Sequence, residues 1–286
     1  MSRNKKLGRA LALLGTYAIL GVALFIALFP IAWTFTTSIK GDAEYFSRPP
    51  VWIPKEPSLT HYLYLFSDEI GGLVALKTSL GIAFANTVLV LLLAVPAAYA
   101  ITRYRVGGGN LPTWFLSLRM MPPVAPVLPL FILFFTLGKV IPALGIDHVA
   151  PLIIVYTIFN LPFAIWLLMG FFEEFPQEIQ EQAMVDGCSE LGALVKVILP
   201  VLAPGIMVVA LFCFTFAYNE FLFSVTLTRG NTKTLMVLLS SFLSPQRYNW
   251  GAVAGTAIIA MVPAFLLALF FQRYLVRGLA MGGLKG

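Results

Sequence analysis

Charge is scarce in this 286-residue chain: only 11% of its residues are Asp, Glu, Lys or Arg. Soluble domains carry roughly 25%, so an ordinary soluble globular protein is excluded. Two cysteines and two histidines leave little for metal binding or covalent chemistry, and no Cys/His spacing of metal-site type occurs. Cys188 falls in a polar segment and Cys213 in an apolar run, so the pair reads as small apolar fillers rather than a disulfide. No nucleophile–base set and no paired carboxylates occupy the apolar runs, which removes the chemistry an intramembrane enzyme needs. The phosphate-binding loop Gly-x-x-x-x-Gly-Lys-Ser/Thr is missing as well. Gly230-Asn231-Thr232-Lys233-Thr234 lacks its first half, and Gly107-Gly108-Gly109 reads as a turn. We therefore expect no catalytic, cofactor-binding or metal residues in this chain.

What is abundant is apolar: 59% of residues are hydrophobic and the mean hydropathy is +0.88. Six runs approach or exceed the roughly 20 residues that cross a bilayer, at about 11–34, 81–101, 114–138, 150–171, 202–226 and 251–271. The first follows Arg3, Lys5, Lys6 and Arg9 but is too long for a secretory signal and has no small-residue cleavage site. The expected fold is all-α: one polytopic membrane domain over residues 1–286 with six transmembrane helices. An even number of spans puts both termini on one side, and the basic N-terminus assigns that side to the cytoplasm. The net charge of +6 suits an anionic leaflet and requires no nucleic-acid partner.

Residues 40–80 form the long external connection, with Arg48-Pro49-Pro50-Val51-Trp52-Ile53-Pro54 preventing a continuous helix. His61 reads as a surface or interfacial histidine. In the third run, Pro122, Pro123, Pro126 and Pro129 each remove a backbone donor, giving either a wall of a translocation pathway or a kinked packing helix. Arg119, near the start of that run, is expected to snorkel to the cytoplasmic surface rather than take a pathway role. Polar residues within spans are by default functional candidates: Asn160 in the fourth run, and Tyr218, Asn219 and Glu220 late in the fifth. They suit a hydroxyl-rich solute; Asn160 reads equally as an interhelical hydrogen bond, and Glu220 as paired with a basic group or as the end of its helix near the outer interface.

The densest charge lies between the fourth and fifth runs. Glu173, Glu174, Glu178, Glu181, Asp186 and Glu190 are six of the thirteen acidic residues. Pro176 and Glu178 suit the first turn of a helix, which would run to about Asp186 and stop at a left-handed Gly187. A second short helix is expected after it, with Leu191, Leu194, Val195 and Ile198 on one face, before Pro200 and Pro204 lead into the fifth span. Two short helices with a sharp bend form a projection that transmits a push.

This loop, 172–200, resembles the EAA signature of ABC-importer permease subunits. Glu181, Ala183, Gly187, Leu199 and Pro200 stand at the family's spacing, and Asp186 is typical; Gln182, Cys188 and Val197 depart from it. The run Gln272-Arg273-Tyr274-Leu275-Val276-Arg277-Gly278-Leu279, the ending Gly282-Gly283-Leu284-Lys285-Gly286, Leu243-Ser244-Pro245-Gln246 and Trp250-Gly251 resemble the carbohydrate branch, similar to maltose permeases. Arg119-Met120-Met121-Pro122-Pro123 and Asn219-Glu220-Phe221 look like its sugar or polyol members. The resemblance implies a non-catalytic subunit of a prokaryotic cytoplasmic-membrane importer. It implies a sister permease, two cytoplasmic ATPase subunits holding ATP and magnesium, and an external solute-binding protein. Glu181, Ala183, Asp186, Gly187, Leu199 and Pro200 would then couple to an ATPase, and Arg273, Arg277 and Lys285 in the tail, 272–286, would touch the ATPases. The alternatives are an importer permease for an amino acid or peptide, which the tail argues against, and an ATP-independent secondary transporter, in which the loop has no purpose.

Overall fold

The computed structural model describes residues 2–230, 232–244 and 247–282, with side chains described outside 2–12, 116, 244, 247 and 273–282. The helices are α1 (Ser2–Ser38), α2 (Thr60–Leu65), α3 (Gly72–Tyr104), α4 (Leu111–Arg119), α5 (Val127–Leu137), α6 (Val149–Glu174), α7 (Gln177–Val185), α8 (Glu190–Ala193), α9 (Leu199–Tyr218), α10 (Leu222–Leu227), α11 (Leu235–Ser241) and α12 (Trp250–Gly282). A two-residue antiparallel pair, β1 (Leu243–Ser244) with β2 (Arg247–Tyr248), precedes α12.

Among the described residues, five helical stretches are long and apolar enough to span a membrane: Leu13–Ser38, Gly72–Tyr104, Val149–Glu174, Glu190–Tyr218 and Trp250–Gln272. The third apolar run is not one helix. It divides into α4 and the shorter apolar α5, because Pro122, Pro123 and Pro126 have no N–H to continue the ladder. Pro129 is tolerated in the first turn of α5, where N–H groups have no intrahelical partner. The fifth run also stops early: α9 ends at Tyr218 and α10 starts afresh at Leu222.

The chain divides into two compact units. One comprises Met1–Gly72 and Leu239–Met261. Within it, Ser38 Oγ and Tyr62 OH lie 2.7 Å apart. Tyr45 OH donates to the Lys40 carbonyl at 2.9 Å, and His61 Nε2 lies 3.1 Å from the same oxygen. The same Nε2 lies 2.9 Å from Tyr45 OH. Burial, then the Asp42 and Glu44 carboxylates, push the Tyr45 phenol up to about 12, so it remains a donor at neutral pH.

The other unit comprises Leu73–Leu238 and Val262–Gly286. Its core joins α3, α6 and α9: Val90, Ala94 and Ala98 pack with Ile165, Leu168 and Phe172 and with Leu202, Val209 and Cys213. Small residues let membrane helices approach closely. At Gly205 a Cβ would lie 2.8 Å from the Phe171 ring, closer than any side chain tolerates. In the connection between α5 and α6, Asp147 adopts φ +66°. Its Oδ1 accepts from the N–H groups of Arg229 at 2.9 Å, Gly230 at 3.2 Å and Thr232 at 3.2 Å, and from Thr232 Oγ1 at 2.9 Å. One carboxylate thus organises the turn after α10.

Candidate functional site

Two places gather the residues singled out from the sequence. The first is the loop after α6. Pro176 precedes α7 in extended conformation, and Glu178 lies in the first turn, where the positive helix end favours a carboxylate. At the far end Gly187 adopts φ +93°. Its N–H donates to the Met184 carbonyl at 3.1 Å, and the Cys188 N–H donates to the Ala183 carbonyl at 3.0 Å. This paired closure is a Schellman motif, which satisfies carbonyls that the helix end would leave bare. A side chain at Gly187 would be held in the left-handed region at roughly 1–2 kcal/mol. Ser189 begins the next helix, its Oγ accepting the Gly192 N–H at 3.2 Å.

The second short helix expected from the sequence is present but runs on into the fifth span. α8 passes through a π-helical turn, Leu194–Ile198, directly into α9. Pro200 explains the wider turn: it has no N–H for the Lys196 carbonyl, and its ring crowds that oxygen. The expected single apolar face is split accordingly. Leu194 and Ile198 are buried, while Leu191 is 72% and Val195 58% exposed.

The loop is held by the end of α3. Gln180 Nε2 donates to Tyr99 OH at 2.7 Å, Arg103 Nη2 to the Phe175 carbonyl at 3.1 Å, and Tyr104 OH to Glu190 Oε2 at 2.8 Å. Ala183 faces inward. Glu181, Asp186 and Gly187 face outward, with Glu181 Oε1 accepting from Gln177 Nε2 at 3.1 Å. Leu199 is half-buried and Pro200 exposed at the start of α9. Val185 stands 87% exposed at the end of α7. Arg273 and Arg277 fall on the backbone of α12, but their side chains, and all of Lys285, lie outside the described residues.

The second place is a cleft of about 410 Å³ bordered by α4, α6 and α9 and the residues following α4 and α9. Asn160, Asn219 and Glu220 line it, together with Arg119, Met121, Pro123, Phe159, Thr215, Phe216 and Phe223. Tyr218 does not line it; it is buried and stacked on Phe214 with ring centroids 5.7 Å apart. Asn160 also joins three helices: its Nδ2 donates to Asn86 Oδ1 at 2.9 Å and approaches the Cys213 carbonyl at 3.4 Å. Asn86 Nδ2 in turn donates to Thr157 Oγ1 at 3.0 Å. Glu220 stands just before α10, its two carboxylate oxygens accepting the N–H groups of Phe223 at 2.9 Å and Ser224 at 3.1 Å.

Arg119 does not snorkel away. Its Nη1 donates to the Phe159 carbonyl at 3.0 Å, and its guanidinium lies 4.6 Å from the Phe216 ring and 5.5 Å from the Phe163 ring. The end of α4 lies against α6, so Arg119, although exposed in the chain by itself, reaches that carbonyl and the two rings. Nothing in the residues near Arg119 carries that information. Phe159 and Phe216 escape sequence reasoning for a related reason: a phenylalanine in an apolar run looks the same whether it meets lipid, core or cleft. Among the described residues no group of His, Cys, Asp and Glu has the makings of a metal site.

Helices long and apolar enough to span a membrane, around a partly polar cleft, are the features of a multi-pass membrane protein. The family described as "Binding-protein-dependent transport system inner membrane component" matches residues 92–281, and the chain belongs to it. The sulfoquinovosyl glycerol transport system permease protein of Agrobacterium fabrum is 34% identical over 267 residues, covering 93% of this chain and 91% of the relative. The trehalose/maltose transport system permease protein of Thermococcus litoralis is 33% identical over 289 residues, 99% of each chain. The diacetylchitobiose uptake system permease protein of Streptomyces coelicolor is 33% identical over 93% of this chain and 95% of its own. The likeness to carbohydrate-importer permeases therefore extends over nearly the whole chain. In fold, the chain is similar to a crystal structure of a bacterial ABC transporter involved in the import of the acidic polysaccharide alginate. The TM-score is 0.71 at 20% identity, over 96% of this chain and 98% of that one.

Proposed function

We propose that this chain is the membrane subunit that, with a sister permease, forms the path by which an ATP-driven importer carries a sugar, oligosaccharide or polyol. The cleft is the observation that carries the reading. Its aromatic faces, Phe159 and Phe216, stand beside the amides of Asn160 and Asn219 and the Glu220 carboxylate, a mixture that suits a molecule with hydroxyls on its edges and C–H groups on its faces. The solutes named for the bacterial and archaeal relatives support the same class.

In this reading the chain has six spans, α4 and α5 together taking the place of the third. Both termini and the α7 loop lie in the cytoplasm. Glu181, Asp186 and Val185 face a groove of one ATPase subunit, and Gly187 sets the bend. Ala183 keeps α7 seated, and Leu199 and Pro200 join the loop to the span, so that movement of the ATPase reaches α9. Arg273, Arg277 and Lys285 add contacts from the tail. Two ATPases bind ATP and magnesium and hydrolyse the nucleotide; an external binding protein delivers the solute.

The test is affinity purification of the tagged chain in mild detergent, followed by reconstitution with the binding protein from the same operon. Recovery of an ATPase and a second permease, with ATP hydrolysis stimulated by a sugar-loaded binding protein, is the expected result. A chain that remains alone, or a complex stimulated only by amino acids or peptides, contradicts the reading.

A further inference from the structure

The charge arrangement in the cleft is unequal, and this extends the carbohydrate reading on which it rests. Arg119 has five N–H donors, of which one goes to the Phe159 carbonyl. Its remaining partners are the faces of Phe216 and Phe163, which attract a cation but do not neutralise it. The one carboxylate on the same cleft, Glu220, is turned to α10: both oxygens accept backbone N–H groups, from Phe223 and Ser224. Among the described residues Arg119 has no carboxylate partner.

Phe159 lies well inside α6, a helix long and apolar enough to cross a membrane; a guanidinium at that level without a counter-ion is expensive, and the remaining edge of its planar fork matches the two oxygens of a carboxylate or sulfonate. A neutral sugar gains only ordinary hydrogen bonds there. An acidic one also supplies the missing charge. We propose that the transported carbohydrate bears an anionic group, a carboxylate or sulfonate, that pairs with Arg119 as it crosses the cleft. The amides of Asn160 and Asn219 receive the hydroxyls, and the Phe216 face, already under the guanidinium, holds that cation in place.

The test uses the complete importer in proteoliposomes, offered neutral glycosides and their counterparts carboxylated or sulfonated at C6. Uptake of an acidic member is expected, with Arg119→Gln lowering it by about 10-fold or more relative to ATPase-complex content. Arg119→Lys, which keeps the charge but not the fork, should retain an intermediate rate and also shows whether the site tolerates substitution. Uptake of neutral members alone overturns the proposal while leaving carbohydrate import intact. Acid uptake by assembled Arg119→Gln within about twofold of the wild type also overturns it. An assembled, ATP-hydrolysing complex that takes up neither kind of sugar overturns both readings.

Discussion

The side-chain amide of Gln180 donates a hydrogen bond to the phenolic oxygen of Tyr99 at 2.7 Å, tying the centre of α7 to the end of α3. Both groups are buried, so the bond makes the loop and the spanning helix move together. Tyr99→Phe removes the acceptor and leaves a buried amide unsatisfied, which destabilises by about 1–3 kcal/mol. The complex should still assemble, but transport fewer solute molecules per ATP hydrolysed. Measuring both rates in the same proteoliposomes checks this; an unchanged ratio would mean the bond only fastens the loop.

Gly187 offers a sharper test of the same loop. Gly187→Ala strains the left-handed turn by roughly 1–2 kcal/mol. Gly187→Pro also locks φ near −65° and deletes the N–H that bonds the Met184 carbonyl. Uptake should fall modestly for alanine and be abolished for proline, with the chain still inserted in the membrane. Full uptake by an assembled Gly187→Pro complex would refute a coupling role for the bend.

Asn160 borders the cleft and also joins α3, α6 and α9. Asn160→Ala should lower stability by about 1–3 kcal/mol, since Asn86 loses its donor inside the bundle. Thermal unfolding in detergent reads this directly. Asn86→Ala, away from the lining, should destabilise similarly. If it also leaves solute preference unchanged while Asn160→Ala shifts it, Asn160 has both roles.

Asp147 Oδ1 holds the backbone of Arg229, Gly230 and Thr232. Asp147→Ala removes that acceptor and leaves a Cβ residue at φ +66°. Amide exchange at Arg229, Gly230 and Thr232 should quicken markedly. Asp147→Asn keeps an acceptor and tolerates the left-handed region, so protection should largely survive.

Local signals are legible in the sequence and distant ones are not. The α7 helix, its acidic first turn and the stop at Gly187 depend on residues within one or two turns, and the prolines after Arg119 mark the broken run for the same reason. The second loop helix departs from expectation because the π turn at Leu194–Ile198 changes the angular spacing on which a helical face is counted. Tyr218 and Asn219 are adjacent in sequence but differ in surroundings, one packed in the bundle and one on the cleft.

By itself the sequence determined that this is a helical membrane protein and, through the acidic loop and tail, the kind of importer it resembles. Scarce charge and long apolar runs leave no other solvent for the chain than lipid. Only the tertiary structure decided which polar groups meet. A run that is apolar on nearly every side carries little information about direction. The docking of α3, α4, α6 and α9 therefore determines that Arg119 turns to Phe159 and Phe216 and that Asn160 reaches Asn86.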